Sequence, residues 1–208
     1  DSIIGFGHQP WEILQPVLGY APITWLVNLI YDSWFLVMFG CFFWQAFAPR
    51  GGSVRAQYLL AFSLSWFLAG NVLAAWLSSA GPCFYGHLVA GTDPFAAQMA
   101  YLHAVNQHWP IWSVPIQDLL WHSYVTGSGE ISGISAMPSM HVESSALMAL
   151  LGWRISRKLG IALGVYTALI FIGSIHLAWH YAADGIAGIV LAALFWVLAG
   201  VILQWYGC

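Results

Sequence analysis

Charge is what this sequence has least of. Five Lys and Arg plus eight Asp and Glu make 13 charged side chains in 208 residues, or 6%, where an ordinary soluble domain carries about 25%. So few cannot coat the surface of a water-soluble body of this size, and a soluble globular enzyme is excluded. Intrinsic disorder is excluded as well, because 60% of the residues are hydrophobic and disorder needs the opposite balance. Five cations and a net charge of −3 form no basic patch, so nucleic acid is not a partner. Cysteine is scarce too. Cys41, Cys83 and Cys208 are scattered and make neither a disulfide framework nor a CxxC metal signature. The first residues lack the basic region of a cleavable signal, and no internal repeat or low-complexity segment is present.

What is there is apolar and aromatic. The 13 Trp, 9 Tyr and 12 Phe suit a membrane protein with aromatic belts. Continuous apolar runs of about 20 residues predict transmembrane helices rather than the alternating strands of a barrel. They cover Ile30–Ala48, Gln57–Ser79, Met137–Trp153, Gly160–Ala178 and Gly185–Tyr206. Trp11–Leu29 reads as an interfacial helix. The expected fold is all-α: one integral membrane domain over 1–208, a polytopic bundle of five to six spans. Residues 1–29 form its N-terminal segment, and 80–136 a long extracytoplasmic loop with interfacial helices.

The cations set the expected topology. Arg50 and Arg55 lie in one short connector, and Arg154, Arg157 and Lys158 in another. The positive-inside rule puts both connectors in the cytoplasm. Residues 80–136, between them, then lie outside.

Two polar segments stand at span ends. Ser135-Ala-Met-Pro138-Ser139-Met140-His141 opens the third span. Pro138 suits a first helical turn, and a helix N-terminus attracts phosphate. His176-Leu-Ala-Trp-His180-Tyr-Ala-Ala-Asp184 joins the fourth span to the fifth. His180 and Asp184 are four apart, which places them on one face of a helix, and a carboxylate beside an imidazole makes its other nitrogen a better nucleophile or base. The topology brings both segments, and the turn Gly81-Pro-Cys-Phe-Tyr85-Gly-His87, to the same membrane face.

Pro138-Ser-Met-His141 resembles the Pro-Ser-x-His motif of type 2 phosphatidic acid phosphatases, and His180-x-x-x-Asp184 resembles the end of their third motif. The longer stretches Gly133–His141 and Trp179–Gly185 are more similar to the branch containing inositol phosphorylceramide synthases. The resemblance covers roughly the second span to the C-terminus. It implies that His180 attacks phosphorus and carries a phosphohistidine, Asp184 orients it, His141 protonates the leaving alcohol, and Ser139 with nearby N–H groups holds the phosphoryl oxygens. His176, His87 and Tyr85 are further candidates for the substrate site. The implied substrate is a lipid phosphate or phospholipid, with water or a polyol or other alcohol as acceptor, and no cofactor or metal is expected.

The family's motif cations are missing here. Gly81–Gly86 has no Lys or Arg, and the third motif reads Gly173-Ser174-Ile175 where an Arg is usual. The family also has six spans, so the sixth is expected either before Asp1 or within the segment read as interfacial. A different reading makes His176, His180 and Asp184, at i, i+4 and i+8, a metal or haem ligand face with His141 as a fourth group. A transporter is disfavoured because the polar groups gather at one face rather than at the midplane. His103, His108 and His122 read as surface histidines, and Asp32 and Glu143 as helix-end carboxylates.

Overall fold

The computed structural model describes residues 1–48, 52–127 and 134–207. Arg50, Gly129, Gly133 and Cys208 fall outside the described residues. Among those described, the regular secondary structure is helical apart from an isolated antiparallel bridge between Ala80 and Ser135.

A short helix α1 (Pro10–Leu18) ends at Gly19, and Pro22 sits in the first turn of α2 (Ala21–Asp32). Only Ser33 separates α2 from α3 (Trp34–Phe47). It keeps right-handed helical angles, and the bonds Ser33 N–H to Leu29 and Val37 N–H to Ser33 carry the ladder across. The first spanning helix is therefore Ala21–Phe47, which corrects the expected start at Ile30. The break falls at Gly19–Tyr20, so Trp11–Leu29 is not one interfacial helix but two pieces of different elements.

The second long helix, Ser53–Trp76, comprises α4 (Ser53–Leu64), a π-helical stretch (Ser65–Leu73) and α5 (Ala74–Trp76). The segment 80–136 carries α6 (Tyr85–Leu88), α7 (Ala96–Asn106) and α8 (Ser113–Thr126). Then come α9 (Met140–Ile155), α10 (Arg157–His176) and α11 (Ala182–Trp205). The second expected cytoplasmic connector shrinks to one residue, Ser156, whose hydroxyl accepts from Leu159 N–H to cap α10. Arg154 and Arg157 are thus helix-end residues.

Among the described residues four helices are long and apolar enough to cross a membrane: Ala21–Phe47, Ser53–Trp76, α10 and α11. Helix α9 is the exception. Its 16 residues reach about 24 Å, and it carries Glu143, Ser144 and Ser145. It packs against α10, α11, α4 and α3, and every residue from Val142 to Met148 is buried. This centre is the low-cost place for a polar helix in lipid, because each hydroxyl finds a carbonyl: Ser144 bonds Met140 and Ser145 bonds His141. Close approach of α11 needs Gly188, whose added Cβ would stand 2.8 Å from the Ser139 carbonyl.

The outside of the bundle is apolar. Leu36, Phe47, Phe67 and Val197 are all more than half exposed, a pattern that suits lipid rather than water. Several polar side chains are turned inward. Gln98 on α7 donates to the carbonyls of Ile175 and His176, and Gln117 on α8 donates to that of Leu177. They satisfy the orphan carbonyls at the end of α10, so the 80–136 segment is fastened over that end of the bundle.

Candidate active site

Helix α10 stops where Ala178 enters the left-handed region at φ 59°. A residue with a Cβ is uncommon there, and no glycine marks the stop. The reversed chain throws Trp179 and His180 out of the helix, and both N–H groups bond the Ser174 carbonyl. The turn at Gly81–Phe84 backs this reversal. Cys83 N–H donates to Ala178 at 3.0 Å, and a Cβ on Gly81 would collide with the Trp179 carbonyl. Burial pushes the Cys83 thiol well above its ordinary pKa, so it stays a protonated packing group.

The segment before α9 meets the same turn. Ala136 N–H donates to Ser79, and Ser139 N–H donates to the Asp184 carbonyl. His180 is held from here: its Nδ1 lies 2.8 Å from the Ala136 carbonyl oxygen. A carbonyl only accepts, so Nδ1 carries the proton and Nε2 keeps its lone pair. Asp184 is farther, with Oδ2 3.8 Å from Nδ1. That carboxylate instead accepts from Tyr181 N–H at 2.9 Å, capping α11. Helix α11 begins at Ala182, so His180 stands outside it and one-face helical spacing does not govern the pair. The Ala136 carbonyl was not identifiable from sequence, since every residue has one.

His141 is clamped by aromatic rings. It stacks on Tyr31 at a centroid distance of 4.8 Å, meets Trp34 at 4.0 Å, and faces His180 at 5.7 Å. Trp34 is itself fixed by its indole N–H on Ser144. His141 and His180 share a cavity of about 540 Å³. Its remaining wall is largely apolar and aromatic, with Phe35, Phe84, Trp112, Ile116, Leu120 and Trp179.

The other sequence candidates are placed as follows. Ser139 is fully buried and its hydroxyl caps Val142 N–H; it does not line the cavity. His176 is buried on the far side of the reversal, its Nε2 2.9 Å from the Thr24 hydroxyl, which also meets Tyr101. His87 stacks on Trp121, and Tyr85 packs on Phe95 in a satellite cluster with Trp11. Neither lines the cavity. Among the described residues no group of three His, Cys, Asp or Glu side chains could hold a metal ion. The ligand-face reading fails because the turn at Ala178 separates His176 from His180.

Two carboxylates are not the solvated helix ends expected of them. Glu143 is fully buried and accepts from Ser65 at the start of the π-helical stretch, 2.6 Å away. Asp32 lines the cavity and accepts from Asn28 at 2.6 Å. The signal that could have found Asp32 is an ionisable residue inside an apolar run, which marks function by default. The first N–H groups of α11 are also engaged: Ala182 and Ala183 donate to the Asp1 carboxylate.

The chain matches no curated protein and no solved structure in the comparisons made. The family model for the PAP2 superfamily matches residues 1–198, nearly the whole chain and both polar segments that build the cavity. The chain therefore belongs to the PAP2 superfamily and is an enzyme of the phosphatase and phosphotransferase kind that acts on phosphorylated lipid at a membrane.

Proposed function

We propose that this enzyme is a lipid phosphotransferase that moves a phosphoryl-type head group from a lipid to an alcohol acceptor through a phosphohistidine on His180. One observation carries the reading. The His180 Nδ1 is engaged by the Ala136 carbonyl, which leaves Nε2 as a nucleophile on the wall of a cavity shared with His141.

In the first step Nε2 of His180 attacks phosphorus and the P–O bond to the lipid alcohol breaks. His141 delivers a proton to the departing oxygen. In the second step an alcohol oxygen attacks phosphorus, the P–N bond breaks, and His141 recovers the proton. The α9 N-terminus, with the N–H groups of Met140 and His141, serves the phosphoryl oxygens. Ser139 acts through the helix start it caps rather than by direct contact. Asp184 acts electrostatically from 3.8 Å, stabilising the positive charge that the ring takes on as Nε2 bonds phosphorus.

The mostly apolar wall supports a lipid chain and an alcohol acceptor over bulk water. The stretches Ser135–His141 and Trp179–Gly185 support the inositol phosphorylceramide synthase-like branch within the superfamily. The site lies at the opposite end of α9, α10 and α11 from Arg154, Arg157 and Lys158, which supports an extracytoplasmic active site by the positive-inside rule.

The test is to incubate purified protein with lipids labelled at phosphorus, with and without polyol acceptors and with and without a chelator. The expected result is a new labelled phosphodiester that requires the acceptor, survives chelation and disappears in His180→Ala. Labelled inorganic phosphate whatever acceptor is added would make the enzyme a lipid phosphate phosphatase. Activity lost on chelation would overturn the phosphohistidine mechanism.

A further inference from the structure

The cavity beside His180 has the wrong charge for a phosphate monoester. Among the described residues that line it none is Lys or Arg, and one is Asp32. A monoester carries close to two negative charges at neutral pH, and a fixed carboxylate beside it is repulsive in a low-dielectric site. Asp32 stands at the accepting end of a directed chain of donors. Trp179 Nε1–H donates to the Ser113 hydroxyl at 3.0 Å. That hydroxyl donates to Asn28 Oδ1 at 2.7 Å. Asn28 Nδ2–H then donates to Asp32 Oδ2 at 2.6 Å. Every member points its proton toward the carboxylate, and Asn28 and Ser113 are buried. The chain starts on the residue next to His180 and ends on the cavity wall. Oδ1 of Asp32 has no hydrogen-bond partner among the described residues.

The rest of the wall supplies aromatic faces: Tyr31, Phe35, Phe84, Trp112 and Trp179. A carboxylate among aromatic rings is the chemistry that recognises an ammonium group, through charge pairing and cation–π attraction. We propose that the lipid substrate carries a zwitterionic head group, a phosphodiester with an ammonium, and that Asp32 with these rings binds the ammonium. The substrate is then neutral overall, and the missing motif cations follow from it, because the head group brings its own positive charge. This rests on the phosphotransferase reading. The His180–P bond forms as the diacylglycerol C–O–P linkage breaks at phosphorus. The ammonium-bearing group stays on phosphorus throughout: the acceptor alcohol attacks phosphorus, the P–N bond to His180 breaks, and His141 takes the alcohol's proton.

The test compares kcat/KM of the purified full chain, read as diacylglycerol release, on matched glycerophospholipids. Their head groups are choline or ethanolamine, inositol or glycerol, or none (phosphatidic acid). The expected result is a preference of about tenfold or more for the ammonium head groups. In Asp32→Asn this ratio collapses toward one, mainly through a raised KM for the ammonium lipids. Equal or better turnover of the inositol or glycerol lipids by the wild type overturns the inference while leaving the phosphotransferase reading intact; better turnover of phosphatidic acid with release of inorganic phosphate overturns both. No diacylglycerol from any lipid overturns both. The wild-type preference decides the matter even if Asp32→Asn does not fold.

Discussion

The imidazole of His180 donates a hydrogen bond from Nδ1–H to the Ala136 carbonyl at 2.8 Å, while Asp184 stands 3.8 Å from the same nitrogen. The group that fixes the tautomer is thus a backbone oxygen from the segment opening α9. The two polar motifs are joined at the atom where chemistry begins, and a shift of either strand of chain would release the ring.

His180→Ala is expected to lower kcat by at least about 10⁴-fold, because the covalent route is lost. His141→Ala is expected to cost about 10² to 10⁴-fold, the range for one general acid. Steady-state turnover with a phosphorus-labelled lipid measures both. The labelled protein adduct should be absent only in the His180 variant; an adduct that persists there removes His180 as nucleophile.

Asp184→Ala and Asp184→Asn should separate two roles. The alanine variant loses the acceptor for Tyr181 N–H, a cap worth about 0.5–2 kcal/mol, and should unfold at a lower temperature in detergent. The asparagine variant keeps a side-chain oxygen there but loses the negative charge near His180, so turnover should fall more than stability. Equal thermal losses in both variants would contradict this division.

Trp34→Ala should damage the site from one layer behind it. The indole meets His141 at 4.0 Å and is anchored on Ser144. Removing a buried Trp costs about 3–5 kcal/mol, and the freed His141 should reduce kcat more than it raises KM. Trp34→Phe, which keeps a ring, should recover much of the activity.

Gly81→Ala tests the contact between the first turn and the third motif. The added methyl has no room against the Trp179 carbonyl, so about 1–3 kcal/mol of overpacking is expected, with His180 displaced. A stable, fully active variant would show that this turn does not position the site.

Cys83 should resist alkylation. Its thiol is buried and pushed up by that burial, and the reactive species is the thiolate. Peptide mapping after maleimide treatment at neutral pH should find it unmodified until the fold is opened by denaturant. Rapid labelling of the native protein would mean that the Gly81–Phe84 turn opens.

Much of this was legible from residues alone, and for a definite reason. A run such as Gly185–Tyr206 must be helical in lipid because its backbone has no other partners. Its observed limits, Ala182–Trp205, differ from the expected ones by only a few residues. The alternating direction of successive helices puts the start of α9 and the end of α10 at one end of the bundle, where His141 and His180 meet. Legibility failed where the chain leaves the helix. Spacing arguments for His176, His180 and Asp184 assumed one continuous helix, but Ala178 reverses the chain between the first two, and α11 starts only after the second.

The sequence by itself determined the class of the molecule, most of its long apolar helices and the histidines that meet, because hydrophobicity and backbone satisfaction are local and strongly limit what a chain can do in a bilayer. Only the tertiary structure decided which atoms touch them. Ala136 reaches His180, Trp34 and Tyr31 enclose His141, and Ser113 and Asn28 extend a chain of hydrogen bonds to Asp32. Those partners come from segments up to about a hundred residues apart along the chain, and no local rule of spacing can select a carbonyl, a ring or an amide at that distance. Packing selects them, because a buried polar group must find its complement wherever the fold brings one.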